Sequence, residues 1–386
     1  MNYRHSYHAG NFADVFKHAL LALMLDYLKR KEGGFRYIDT HAGPGLIDLA
    51  GDEASRTGEW RDGIARLAQA DLDARQQDLL APYFAGLGGK PVDEKSFIYG
   101  GSPCLAQNLL RPQDRLTLCE LHPEDARRLE RNIGRDNRVR LLQENGYRAL
   151  KGLLPPPERR GLVLIDPPFE SRDEFEAMEQ ALVTAWKKWP TGIYALWYPV
   201  KEIRPVAQFI ERLAARNIPR ILRLEIAVDM IRTDGPLAAT GLVIVNPPYL
   251  LAEAARDLLP FLARVLARGP GGSFLVSEVT GERFNLGEIT VTRCALRMPG
   301  ADAQAPVGVA YVLGRNHRQA QLAAMADALL QDPAQRELLE EKLLKPLREH
   351  LQQQRAVRHD RAQTTKVDFL TVAREAGSAD DEGEDA

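Results

Sequence analysis

The sequence predicts an α/β fold built on a doubly wound, largely parallel sheet, and three observations carry that prediction. From residue 115 onward, apolar runs of strand length alternate with helical patterns, an order that implies parallel strands joined through crossover helices. The run GLVLI (161–165) is uninterruptedly apolar, as a strand covered on both faces must be. Three runs, FRYID (35–39), RLTLCE (115–120) and GLVLI, lead directly into glycine, acidic or proline turns, where such sheets place their ligands. The 386 residues are 45% hydrophobic, enough for two or three domains and a large core.

The elements follow in order. Asn11 is placed to cap a helix in which Val15, Phe16, Ala19, Leu20, Leu23 and Tyr27 recur at helical spacing, and Gly33-Gly34 stop it. FRYID then runs into the turn THAGPG. Residues 50–95 carry two polar helical patterns, at 59–69 and 74–85, and form a helical insertion. Regular alternation follows: strand 115–120, helix 123–134, strand 138–142, helix 147–153, strand 161–165, helix 173–188, strand 192–199 and helix 202–216. Strands 220–228 and 240–246 have no helix between them, so they form an antiparallel pair at one edge of the sheet. Helix 250–267 and strand 273–277 close the series.

Three cysteines (Cys104, Cys119, Cys294) show neither metal-ligand spacing nor a disulfide framework. No apolar run of about 18 residues and no signal-peptide pattern are present, so the expectation is a soluble, cytoplasmic protein without a membrane partner. The net charge of −2 hides a gradient, since the last twelve residues, EAGSADDEGEDA, hold six acids. Arginines cluster at 127–140, which keeps a nucleic-acid partner open.

Four segments fall in order at the carboxyl edge of the predicted sheet: Asp39 with Gly43 and Gly45, Glu120, Glu144-Asn145-Gly146-Tyr147, and Asp166-Pro167-Pro168-Phe169. A carboxylate at Glu120 can accept both hydroxyls of a ribose. Its distance from Gly43, 77 residues, exceeds the usual ~20 because the helical insertion intervenes. An apolar strand ending in D-P-P-aromatic is the signature of enzymes that methylate exocyclic amino groups. The lone pair of such a nitrogen is delocalised into the ring, so its hydrogens must be held before it can attack. Asp166 can accept one hydrogen bond and the rigid Pro167 carbonyl another, while Phe169 offers a stacking face. A second motif, Asn246-Pro247-Pro248-Tyr249, ends a strand of the opposite direction and reads as a structural turn. The histidines have no third partner at ligand spacing, so no metal site is expected. By themselves His18 reads as a helix-surface residue and His41 as a turn residue.

On the segments YRHSYHAGNFADVFKH (3–18), YIDTHAGPG (37–45), SRTGEW (55–60), YGGSP (99–103), LCELHP (118–123), LIDPPFE (164–170), YALWYPV (194–200) and GLVIVNPP (241–248), residues 1–278 resemble the RlmJ family of 23S ribosomal RNA adenine-N6 methyltransferases. The resemblance implies a class I Rossmann-like fold and S-adenosylmethionine as cofactor. It places His18, His41, Ser102, Glu120, Asn145, Gly146 and Asp166 at the cofactor and makes Asp166 the proton acceptor as well. It assigns Tyr3 to the substrate, with His5 and Lys17 on the RNA side. Two departures are visible: Asn145 stands where the family has Asp, and Phe169 where it has Tyr. The target adenine must be unpaired or flipped to be reached. The insertion, the arginines 127–140, the arm around Tyr3 and the loop 229–238 surround the expected site as RNA-contacting surfaces. DNA remains an alternative substrate, since D-P-P-F serves both polymers.

From Val279 the pattern changes to two amphipathic strands, a loop, a third strand, a helix 315–330, a helix 334–363 and KVDFLTVARE (366–375). This small α+β unit, 279–376, resembles the later two-thirds of PhnG, a subunit of the carbon–phosphorus lyase system, and is followed by an acidic tail, 377–386. The chain therefore resembles a fusion with its seam near 278–282. The resemblance implies lyase subunits as partners of this segment, and a non-catalytic subunit as the alternative to an enzyme. Arg315, Asn316 and His317 read as a helix cap.

Overall fold

The computed structural model describes residues 7–89, 98–171, 173–232, 235–268, 272–279, 291–297, 307–313, 317–350 and 353. These divide into two compact units, Met1–Arg283 and Phe284–Ala386.

In the first unit, helix α1 (Phe12–Lys29) begins where the sequence predicts, with the Asn11 side chain accepting from the amides of Ala13 and Asp14. Its burial differs from the amphipathic expectation. Asp14, Lys17 and His18 are as buried as the leucines, and helix α4 (Ala74–Gly86) of the insertion packs on α1. A helix covered on all sides must partner its polar residues internally. The insertion also contains α2 (Asp52–Thr57), a 3₁₀ turn (Glu59–Asp62) and α3 (Ile64–Gln69).

The sheet is formed by β1 (Arg36–Asp39), β4 (Arg115–Cys119), β5 (Val139–Leu142), β6 (Gly161–Ile165), β7 (Ile193–Pro199), β8 (Ile221–Ala227), β9 (Ala239–Val245) and β10 (Ser273–Val279). Their spatial order is β10-β8-β9-β7-β6-β1-β4-β5. Strands β5 to β7 are mutually parallel through β4, β1 and β6. The chain lays β4 and β5 on one side of β1 and then β6 and β7 on the other, so the order reverses beside β1, the place where open α/β sheets bind ligands.

Strands β8 and β9 are antiparallel as predicted, but the pair is not the edge. Strand β9 pairs with β7, and β10 covers β8 as the antiparallel outer strand. Two short elements escaped the sequence reading. A ribbon of β2 (Leu46–Asp48) and β3 (Ile98–Gly100) brackets the insertion, and helix α5 (Ser102–Leu109) starts at its exit. Helices α6 (Pro123–Ile133), α7 (Gly146–Leu153), α8 (Glu174–Lys188), α9 (Ile203–Ala215) and α10 (Leu251–Val265) complete the unit. One apolar cluster joins the sheet to α1, α4, α5 and α10; a second joins its other face to α8 and α9.

The second unit pairs β11 (Val291–Arg297) antiparallel with β12 (Val307–Leu313). Helix α11 (His317–Leu330) packs on them through Ala320, Ala324 and Ala328, all fully buried. A Cβ at Gly308 would lie 1.8 Å from the Ala324 carbonyl oxygen, so glycine permits that contact. Helix α12 (Pro333–Leu339) runs into a π-helical turn, Glu340–Leu344, which interrupts the predicted helix 334–363. The first predicted strand after Val279, Arg315, Asn316, residues 354–363, 366–375 and the acidic tail lie outside the described residues.

Candidate active site

Asp39 closes β1 and is fully buried. Its Oδ2 accepts from the Tyr37 hydroxyl at 2.8 Å and from Ser102 Oγ at 2.6 Å, and Oδ1 accepts from the His41 amide at 3.2 Å. Ser102, at the start of α5, therefore orients Asp39 from behind the glycine turn. Burial outweighs these bonds and pushes the Asp39 carboxyl up to about 6 from 3.8. A carboxylate raised in the folded state costs stability where it is ionised, and that cost is relieved as pH falls from about 6 toward 4. Relative to Asp39→Asn, which does not titrate, the wild type is expected to gain about 1 kcal/mol of unfolding free energy between pH 7 and pH 5. Urea denaturation of both proteins at the two pH values measures this; a constant difference refutes it.

The turn after Asp39 holds Gly43 and Gly45 at φ 63° and 84°, the left-handed region that glycine enters freely. A Cβ at Gly43 would meet nothing within 4 Å. Glu120, just beyond β4, accepts from the Gly43 amide at 2.8 Å and from the His122 amide at 2.7 Å, one on each oxygen. The predicted pairing of glycine turn and acid across the insertion is thus present, and each Glu120 oxygen retains a lone pair. Burial raises the Glu120 carboxyl. His41 bonds Thr40 Oγ1 through Nδ1 at 2.8 Å and lies edge-on to Tyr147 at 5.0 Å. Burial pushes His41 down to about 4, so it is neutral at physiological pH.

Asn145 caps α7, its Oδ1 accepting from the Arg148 amide at 3.1 Å. The Asn145 oxygen is therefore partly committed to the helix. Gly146 is required for packing, because a Cβ there would lie 2.0 Å from the Thr40 carbonyl oxygen.

Asp166 follows β6. Lys17, which the resemblance sets on the RNA side, is buried beside it. Its ammonium donates to Asp166 Oδ2 and lies 3.0 Å from Asp14 Oδ1 and 5.3 Å from the centre of the Trp197 ring. The side chains of Lys17 and Asp14 are each 3% exposed, and that of Asp166 is 11% exposed. Oδ1 of Asp166 has no hydrogen-bond partner among the described residues. Phe169 sits at φ 52°, a conformation that a bulky residue holds only under constraint. Phe175 and Trp197 grip its ring edge-to-face at 5.0 and 5.9 Å.

His18 is not on the helix surface: it is 1% exposed and bonds Tyr99 through Nδ1 at 2.7 Å. A cavity of about 510 Å³ gathers His18, His41, Ser102, Glu120, Asn145, Gly146, Asp166, Phe169 and Lys17 in one lining, within the ~300–1,000 Å³ of small-molecule sites. Tyr3 and His5 lie outside the described residues. Asn246 turns away, as its strand direction predicts. At φ 52°, its amide donates to the carbonyls of Pro190 and Gly192 and its oxygen accepts from Arg220.

The sequence reading missed Asp14, Tyr99 and Trp197. The i,i+3 pair Asp14/Lys17 was a usable signal, since such residues share a helix face.

A family model described as ribosomal RNA large subunit methyltransferase D, RlmJ, matches residues 32–279. The ribosomal RNA large subunit methyltransferase J of Haemophilus influenzae is 41% identical over 286 residues, 73% of this chain and 100% of that protein. The protein of the same name from Escherichia coli is 40% identical over 285 residues, again 73% and 100%. A solved structure from Legionella pneumophila superposes with a TM-score of 0.62 at 32% identity, covering 70% of this chain and 98% of that one. A second model, phosphonate metabolism protein PhnG, matches residues 274–375. The PhnG subunit of α-D-ribose 1-methylphosphonate 5-triphosphate synthase from Rhizobium meliloti is 35% identical over 94 residues. The chain spans 57% of that subunit.

Proposed function

The chain belongs to the RlmJ family of large-subunit ribosomal RNA methyltransferases, and we propose that it methylates N6 of an adenine in 23S ribosomal RNA with S-adenosylmethionine as cofactor. The observation that carries the reading is the convergence of three strand ends around one cavity, the turn 40–45 after β1, Glu120 after β4 and Asp166 after β6. The donor set fits the cofactor. The space beside Gly43 is open, and Glu120 keeps lone pairs for ribose hydroxyls. Asn145 and Gly146 would flank the adenine, while His18, His41 and Ser102 complete the cradle. When bound, the cofactor supplies an electrophilic methyl group on a positively charged sulfur.

The protein's own residues prepare the nucleophile. The free Oδ1 of Asp166 accepts one hydrogen of the target amino group and the Pro167 carbonyl the other, which turns the nitrogen lone pair toward the incoming methyl. Phe169 stacks on the base. Fixing these partners contributes chiefly through proximity and orientation. The amino proton, acidified by methylation, passes to Asp166. Lys17 holds the second oxygen of that carboxylate. Tyr3 and His5 belong, on this reading, to the RNA-facing arm, and the exposed Lys201 in the cavity lining is a phosphate contact.

The test incubates the full chain with radiolabelled S-adenosylmethionine, protein-free 23S ribosomal RNA and a competing adenine-containing DNA. Label recovered as N6-methyladenosine in RNA is the expected result. Label in DNA alone transfers the reading to a DNA enzyme, and label in neither polymer refutes both.

No helix among the described residues is long and apolar enough to cross a membrane, and the cytoplasm is the proposed location. The PhnG match supports a separate proposal for residues 279–376, docking to carbon–phosphorus lyase subunits.

A further inference from the structure

The chain enters helix α1 through a short segment, residues 7–11, that the helical insertion holds by backbone and side chain together. The Thr57 hydroxyl donates to the Tyr7 carbonyl, and the Ile64 amide donates to the Gly10 carbonyl at 2.8 Å. Glu59 holds two side chains of the segment. Its Oε1 lies 3.0 Å from His8 Nδ1, and its Oε2 accepts from Asn11 Nδ2 at 2.9 Å. The two backbones also approach closely, since a Cβ at Gly63 would lie 2.1 Å from the Gly10 carbonyl oxygen. The side-chain ties join residues 48 to 51 positions apart in sequence.

Glu59 is the centre of this joint. Asn11 divides its side-chain amide between two tasks, Oδ1 capping α1 and Nδ2 bonding Glu59. The residue that starts the helix thus also ties it to the insertion. Burial acts to raise the Glu59 carboxyl, but the bonds from His8 and Asn11 and the charge of Arg268 outweigh it and hold the group below its ordinary value. Hydrogen bonds to an ionised carboxylate are stronger than those between neutral groups. His8, Asn11 and Glu59 all line the cavity, so the joint stands at the site itself. The chemistry at Asp166 uses neither His8 nor Glu59.

We propose that Glu59 is a positioning residue for RNA binding, which anchors the root of the N-terminal arm to the insertion at the wall of the cavity. This inference rests on the reading of Tyr3 and His5 as substrate contacts. A root fixed in advance reduces the conformational entropy lost when the arm meets RNA, which favours association without touching the chemical step. The insertion, the segment that breaks the regular strand–helix alternation, thereby gains a part in substrate binding through SRTGEW (55–60).

The experiment uses the full chain, protein-free 23S ribosomal RNA and calorimetry of S-adenosylhomocysteine binding. Glutamine at position 59 keeps the shape of the side chain but sets an amide donor against one of its two donors. Glu59→Gln should raise the KM for RNA by about 5- to 30-fold, the cost of reordering one backbone residue, with kcat and S-adenosylhomocysteine affinity unchanged. Thr57→Val removes the tie to Tyr7, leaves Glu59 in place and should raise the same KM. Tyr3→Ala should raise it as well, and adding Glu59→Gln to Tyr3→Ala should have little further effect, because both act through one arm. Amide hydrogen exchange over residues 7–11 should quicken in Glu59→Gln. Unchanged exchange there overturns the anchor, whatever the substrate. An effect of Glu59→Gln that multiplies with that of Tyr3→Ala, or that falls on cofactor affinity, overturns the role in RNA binding. Exchange that quickens while Tyr3→Ala leaves the KM unmoved keeps the anchor and overturns the assignment of the arm to RNA, on which its role in binding rests.

Discussion

Asp166→Asn should lower kcat by roughly 10²–10⁴, the contribution of a positioned proton acceptor, with affinity for S-adenosylhomocysteine changed by less than about threefold. The two readouts separate because Asp166 reaches the cavity from the end of β6, whereas Gly43 and Glu120 belong to the neighbouring strand ends. Asparagine keeps the shape of the side chain and an acceptor oxygen, so it still fits beside Pro167. It has no carboxylate to take up the amino proton, and its amide nitrogen would set a donor against the Lys17 ammonium or against the target amine. Single-turnover transfer to 23S ribosomal RNA, with binding measured on the same preparation, checks this. More than a tenth of wild-type kcat in the variant would remove Asp166 from the chemistry.

Much of this site was legible because its signals are local. Asn11 announces α1 by its capping chemistry, and D-P-P-F announces the end of β6 by residue type. Asp39, Glu120 and Asp166 could be put on one edge from strand order alone. The rest depends on contacts distant in sequence. The inward placing of Lys17 and His18 follows from partners distant in sequence, Asp166 and Trp197 for the first and Tyr99 for the second, and no periodicity within residues 12–29 encodes them. The ribbon β2–β3 has three residues in each strand, too few for an alternation to register. Helix α5 begins in YGGSP, whose glycines and proline read as a turn. The outer position of β10 was hidden for another reason: pairing order among antiparallel strands is a tertiary choice. The direction of β9, by contrast, followed from a connection too short for a crossover, which is why Asn246 could be set aside.

Lys17→Met tests the pair beside the catalytic carboxylate. The ammonium neutralises two buried acids together, Asp14 and Asp166, and methionine fills its volume without its charge. Breaking such a pair on one side leaves uncompensated charge, which costs about 3–5 kcal/mol in stability. Asp166 also loses the bond that fixes Oδ2 and, with it, the aim of Oδ1. A misplaced catalytic group costs on the order of 10² in rate, so kcat should fall by about that factor in any population that remains folded. Stability and chemistry can be pulled apart with Asp14→Asn/Lys17→Met. Removing the second acid should restore much of the unfolding free energy, because only Asp166 is left charged at the cavity. Activity should stay low, since nothing replaces the donor to Oδ2. If kcat returned together with stability, Lys17 would be a neutraliser of Asp14 alone; if Lys17→Met kept kcat within threefold, the ion pair with Asp166 would have no part in orienting the proton acceptor.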